Sequence, residues 1–163
     1  MKPVKAVGIQ YAALPYRHVG KQVQVLLITS RGTGRWIIPK GWPMQGLKPH
    51  EAAAVEAAEE AGIAGAVNDR PVGSYSYSKM LKQDQFITVQ VMVFPFHVET
   101  HAEAFKEAGE RTSRWFSYRQ AANLVAEPSL KRIILEFGDG RAAGRISQLV
   151  RRYRAWRMQR AFG

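Results

Sequence analysis

The stretch Gly41 to Ile63, GWPMQGLKPHEAAAVEAAEEAGI, joins a loop rich in Gly and Pro to a run of Ala and Glu. The second part has the marks of a helix. Ala and Glu are strong helix formers, Pro49 suits a first turn and Gly62 suits a C-terminal cap. Residues 51–60 carry four of the chain's 13 acidic residues in a protein of formal net charge +11. At about 100° per residue, Glu56, Glu59 and Glu60 share one stripe of that helix and Glu51 points elsewhere.

A solvated face is one reading of such a stripe, and it predicts basic partners at helical spacing. None is in place: the four-residue neighbours of Glu56 are Ala52 and Glu60, and those of Glu59 are Val55 and Ile63. Glu56 and Glu60 are instead a like-charge pair, which costs about 0.2–0.5 kcal/mol in an isolated helix. The other reading is a divalent cation that prefers oxygen, such as Mg²⁺, bound with water and substrate phosphates.

At 163 residues the chain fits one domain with a substantial core. It is 46% hydrophobic and 23% charged, as globular chains are, and it has no apolar run long enough to span a bilayer. The first residues, MKPVKAVGIQYAALPYR, lack a signal-peptide core, so a cytoplasmic location is expected. With no cysteine, thiolate nucleophiles and Cys-based zinc sites are excluded, and any metal is held by O or N. The excess of cations points to polyanionic partners: nucleic acid, an anionic membrane surface or a small polyphosphate.

VKAVGIQYAAL and QVQVLLITS predict strands over about 4–12 and 22–30 around a polar hinge, PYRHVGK. RGTGR reads as a turn, RWIIP as a short strand, and KGWPMQGLKP as a loop. Strands are expected at about 71–79 and 86–98, the latter central, and at Arg114–Phe116. Ser117 can cap a helix over YRQAANLVA, and Pro128 starts another. Residues 1–140 then form the domain. Residues 141–163, with seven arginines and no acid, read as a basic amphipathic helix packed on it.

The segment 41–63 resembles the Nudix box, G-x5-E-x7-R-E-U-x-E-E-x-G-U, with Gly41, Glu56, Glu59, Glu60, Gly62 and Ile63 in register. Leu47 stands where the pattern has its first Glu and Val55 where it has Arg. VQVLLITSRGTGRWIIPKGWP and SRWFSYRQA are similar to the flanking segments of diphosphoinositol polyphosphate phosphohydrolase-like Nudix proteins. The resemblance implies an α/β Nudix fold, a mixed β-sheet sandwiched between helices. It also implies hydrolysis of a phosphoanhydride in a nucleoside diphosphate-X, dinucleoside polyphosphate or diphosphoinositol polyphosphate, with Mg²⁺ or Mn²⁺. Carried over by position, Glu56, Glu59 and Glu60 become catalytic residues and metal ligands, with Glu56 a candidate to orient or deprotonate water.

Glu103, Glu107 and Glu110 precede the Trp115-Phe116 strand, and Glu110 is taken as the further ligand from outside the box. Arg31, Arg35 and Lys40, with Gly41 and Arg17, are the expected substrate-binding residues, because cations beside a metal-carboxylate cluster suit a phosphorylated ligand. Lys79 and Lys82 lie in the loop before the long strand. Trp36, Trp42 and Tyr77 could stack on a base, although an aromatic beside a strand is more often core. His97 and His101 follow a strand pattern and read as incidental. Gly138, Gly140 and Gly144 form a turn. Two rival readings remain beside the hydrolase: a ligand-sensing Nudix domain with little turnover, and a nucleic-acid or membrane module built on the tail. The expected partner is a small phosphorylated substrate, nucleic acid is not favoured, and oligomeric state is left open.

Overall fold

The computed structural model describes residues 7–140. The first strand, β1 (Val7–Val19), runs straight through PYRHV, where the sequence predicts a hinge. Only Gly20 and Lys21 turn the chain, Gly20 at φ 60°, before β2 (Gln22–Thr29) pairs back from Val19↔Gln22 to Tyr16↔Val25. A two-residue connection with a left-handed glycine matches the strand twist, so the polar residues stay extended. Residues 4–6 of the expected first strand lie outside the described part.

Two short strands follow, β3 (Trp36–Ile37) on β2 and β4 (Lys40–Gly41) on β1, so the expected loop begins as a strand. Helix α1 (Pro49–Ala61) comes next, with Pro49 at its start and the Glu51 carboxylate accepting from the Lys48 N–H at 2.8 Å. Gly62 ends it in the left-handed region at φ 68°. The sequence reading misses β5 (Ile63–Val67), because IAGAV has too little β-branched character to announce a strand. Strands β6 (Gly73–Met80), β7 (Phe86–His101) and β8 (Ser113–Ser117) follow. The last described elements are α2 (Tyr118–Leu124), capped by Ser117, and α3 (Pro128–Gly138).

Among the described residues these strands make one mixed eight-stranded sheet, ordered β3-β2-β1-β7-β5, with β4 on β1, β6 on β7 and β8 on β2. β1 and β7 pair in parallel from Val7↔Thr88 to Tyr16↔His97, which places β7 centrally as its apolar run predicts. Alternation then sorts the core into two layers. Ala12, Leu14, Val25, Leu27, Val89, Val91 and Val93 pack under α2 and α3. Their neighbours Tyr11, Ala13, Leu26, Ile28, Phe94 and Phe96 pack under α1. The result is the expected sheet between helices. Helix α1 touches the sheet through Ala52, Ala53, Ala57 and Ala61, all buried, and these small side chains bring its backbone close. That close approach sets the depth of its carboxylates. The arginine-rich segment 141–163 lies outside the described residues.

Candidate active site

The buried alanine stripe of α1 turns Glu56 and Glu60 toward the strand edge formed by Lys40 and Gly41. Gly41 leaves the space that Glu56 fills: a Cβ there would overlap the Glu56 carboxyl group. One turn on, Glu60 is buried at 7% exposure, its Oε2 3.4 Å from the Lys40 backbone N–H. Glu56 and Glu60, one turn apart on α1, influence each other's charge. Burial pushes Glu60 up to about 7; Arg111 opposes that rise, and the like charge of Glu56 adds to it. Glu56 is also raised, first by burial and then by Glu59 and Glu107. Two carboxyl groups thus compete for one partly desolvated space.

Glu59, the third member of the stripe, is one-third exposed and pairs with Lys106 at 3.4 Å. Glu60 pairs with Arg111 at 3.6 Å. The stripe therefore has basic partners after all. They come from the loop between β7 and β8, which helical spacing cannot reveal.

A cleft of 590 Å³ opens over this end of α1. Of the residues expected from sequence, Arg31, Lys40, Gly41, Glu56 and Glu60 line it. Arg17, Arg35, Glu59 and Glu110 are not on its wall. Arg17 lies in β1 with its guanidinium 4.1 Å from the Trp115 ring and its Nε donating to Gln24 at 2.9 Å. Arg35 is exposed and donates to Thr33 at 3.1 Å. Glu110 is half exposed and pairs with Arg31 at 3.6 Å. Its neighbour Glu107 is the acid that faces the cleft, 3.3 Å from both Arg31 and Arg111.

Lys40, Lys79, Arg31 and Arg111 set four cations against the three carboxylates Glu56, Glu60 and Glu107 on the wall. The Lys40 ammonium lies 5.1 Å from the Tyr77 ring, and burial lowers its pKa although Glu60 pulls the other way. Lys79 lies 5.9 Å from the Trp42 ring. Tyr77 donates to Gln10 at 2.7 Å, and burial pushes its hydroxyl up to about 12, so it stays a donor. Trp36 instead packs edge-on against Phe116 at 5.1 Å. His97 lies in β7 against the Tyr16 ring at 5.2 Å, and His101 ends the same strand.

The sequence reading missed Arg111 altogether and ranked Glu107 below Glu110. No periodicity marks either residue, because the segment 102–112 is irregular. Only the pairing of its ends with α1 and β2 brings them to the cleft.

Among the described residues, no group of three or more acidic or imidazole side chains closes tightly enough to hold a cation as they stand. The donors nonetheless suit one in kind. Glu56, Glu60 and Glu107 are all-oxygen donors in one cleft, and burial raises the pKa of both helix carboxyls, a cost that a hard divalent ion would relieve.

The NUDIX domain family matches residues 11–137. Nudix hydrolase 16, mitochondrial, from Arabidopsis thaliana is 29% identical over 136 residues, covering 76% of this chain and 75% of that protein. Nudix hydrolase 21, chloroplastic, from the same plant is 30% identical over 129 residues, covering 76% of this chain and 63% of that one. Among solved structures, a C. elegans Ap4A hydrolase binary complex superimposes with a TM-score of 0.61 at 17% identity, covering 83% of this chain and 98% of that one, a likeness of fold. With its sheet, its helix carboxylates and a family match spanning most of the described residues, the chain belongs to the Nudix domain family.

Proposed function

We propose that the chain is a metal-dependent pyrophosphohydrolase that cleaves a phosphoanhydride in a nucleoside diphosphate-X, dinucleoside polyphosphate or diphosphoinositol polyphosphate. Family membership and its hydrolase relatives make it a hydrolase acting on phosphoanhydride bonds. The observation that carries the finer reading is the pair Glu56 and Glu60, facing a basic cleft over a glycine that leaves them room.

In this reading Glu56 and Glu60 would hold Mg²⁺ or Mn²⁺, Glu59 would join them by leaving Lys106, and Glu107 is better placed than Glu110 to add a further oxygen. Such an ion, when bound, polarises phosphoryl oxygens and lowers the pKa of water. The chain does the rest. Glu56 accepts the proton of the attacking water. Arg31 and Lys79 hold the outer phosphates, and the Lys40 ammonium faces the oxygen that gains charge as the anhydride breaks. The Tyr77 hydroxyl, tied to Gln10, keeps Lys40 in place through its ring. Several cations on one wall favour a substrate with three or more phosphates over a simple diphosphate. That is the ground for preferring dinucleoside and diphosphoinositol polyphosphates.

A panel of these compounds, ADP-ribose and nucleoside triphosphates, assayed for released phosphate and nucleotide with Mg²⁺, Mn²⁺ or chelator, tests the proposal. Metal-dependent turnover is the expected result; none across the panel contradicts it.

The ligand-sensing reading has one observation in its favour. Leu47, at the place of the first box acid, is 42% exposed and carries no charge toward the site. Binding of a phosphorylated ligand without turnover in the same panel would select it. A module built on the tail concerns residues outside those described. Among the described residues, no helix is long and apolar enough to cross a membrane. A cytoplasmic location belongs to this proposal, against the organellar names of the plant relatives, and cell fractionation decides it.

A further inference from the structure

The box pattern has an arginine directly before the position of Glu56, and this chain has Val55 there. The last turn of α1 supplies no cation of its own. A guanidinium nevertheless reaches the stripe from elsewhere in the fold. Arg111, with its side chain 8% exposed, places Nη2 3.6 Å from Glu60 and 3.3 Å from Glu107. Its Nη1 donates to the Thr29 carbonyl at 3.1 Å, while its buried Nε has no hydrogen-bond partner.

The segment that carries Arg111 is tied down on both sides. The Ala102 N–H donates to the Gly62 carbonyl at 2.8 Å and the Glu107 N–H to the Glu59 carbonyl at 3.0 Å, which fixes the loop to α1. Beyond Arg111, Thr29 and Thr112 exchange hydrogen bonds at 2.9 Å, which fixes it to β2. A buried guanidinium anchored to β2 through Nη1, with Nη2 donating to Glu107 and ion-paired with Glu60, holds their geometry as well as their charge.

We infer that Arg111 is a positioning residue that holds Glu60 and Glu107 at the cleft. The inference rests on the metal-dependent reading of the same site. It is distinct from a plain charge effect, and the two have opposite signs. A cation that only neutralises the carboxylates competes with a divalent ion, so removing it tightens metal binding. A cation that positions them pre-organises the site, so removing it weakens metal binding by about 10–100-fold.

Mn²⁺ affinity of the metal-free, full-length chain, read by electron paramagnetic resonance without substrate, separates them. Arg111→Met tests loss of the group, and Arg111→Lys keeps the charge while losing the second nitrogen that anchors it to the Thr29 carbonyl. Circular dichroism melts identify which variants fold, and Arg111→Lys is read if Arg111→Met does not. The expected result is Mn²⁺ affinity at least tenfold weaker in the folded variants. Affinity that is tighter than the parent's, or weaker by less than tenfold, overturns the inference. If the parent chain itself binds no Mn²⁺, the metal-dependent reading fails, and the role of Arg111 fails with it.

Discussion

Glu56 occupies the space that a side chain at Gly41 would need. Strand β4 and helix α1 meet there without a spacer, and the first glycine of the box is thereby tied to its first remaining acid. Gly41→Ala pushes the carboxyl group away from the cleft. The expected outcome is a fall of about 10²-fold in kcat, the scale of a 1 Å misplacement of a reacting group. Steady-state kinetics beside a thermal melt check that the loss exceeds any effect on folding.

Glu60 gives the metal-free protein a pH dependence of known sign. Burial raises its pKa from 4.5 to about 7, so between these values the folded chain keeps a proton that the unfolded chain has released. Its contribution to stability is full below about 4.5 and is lost as pH rises toward about 7. The raised Glu56 acts in the same direction. Denaturant unfolding in chelator between these pH values should show stability falling with pH, and Glu60→Gln should flatten the slope.

Gly62 ends α1 in the left-handed region and lies under the Phe105 ring, so a Cβ there meets both a strained backbone and a side chain. Gly62→Ala costs about 1–2 kcal/mol for the backbone alone. It also loosens the segment that carries Glu107 and Arg111. Hydrogen exchange at the Ala102 and Glu107 amides should rise more than exchange at β7.

Lys40 is desolvated beside Tyr77, and burial of its ammonium lowers its pKa. Lys40→Met removes that cost, so the melting temperature should hold or rise. Loss of a charged contact to phosphate is worth about 1.5–3 kcal/mol, so catalytic efficiency should fall by about tenfold or more. A variant that melts lower with unchanged kinetics would make Lys40 a structural residue only.

The legible part of the molecule was the part with period and punctuation. Pro49, the alanine stripe and Gly62 announce α1, and the box register leads to Glu56 and Glu60. The apolar runs of β2 and β7 mark them as strands, and they lie in the sheet between two helical layers. What stayed hidden has physical reasons. IAGAV forms β5 because β7 offers it an edge, not because Ala and Gly favour strands. PYRHV stays extended because β2 and β7 flank it from Tyr16 onward and through Tyr16, respectively. Arg111 reaches Glu60 through a loop docked by backbone hydrogen bonds, a contact that leaves no mark in local sequence. Arg17 and Arg35 precede the helix in sequence with Arg31 and Lys40, yet the fold places them away from the cleft wall.

The most direct test of the central claim is release of phosphate from a dinucleoside or diphosphoinositol polyphosphate by the parent chain and by Glu56→Gln and Glu60→Gln, in Mg²⁺ or Mn²⁺ and in chelator. The account predicts turnover by the parent that stops in chelator and falls by orders of magnitude in both variants while they remain folded. Undiminished turnover in chelator, or in either variant, would contradict it.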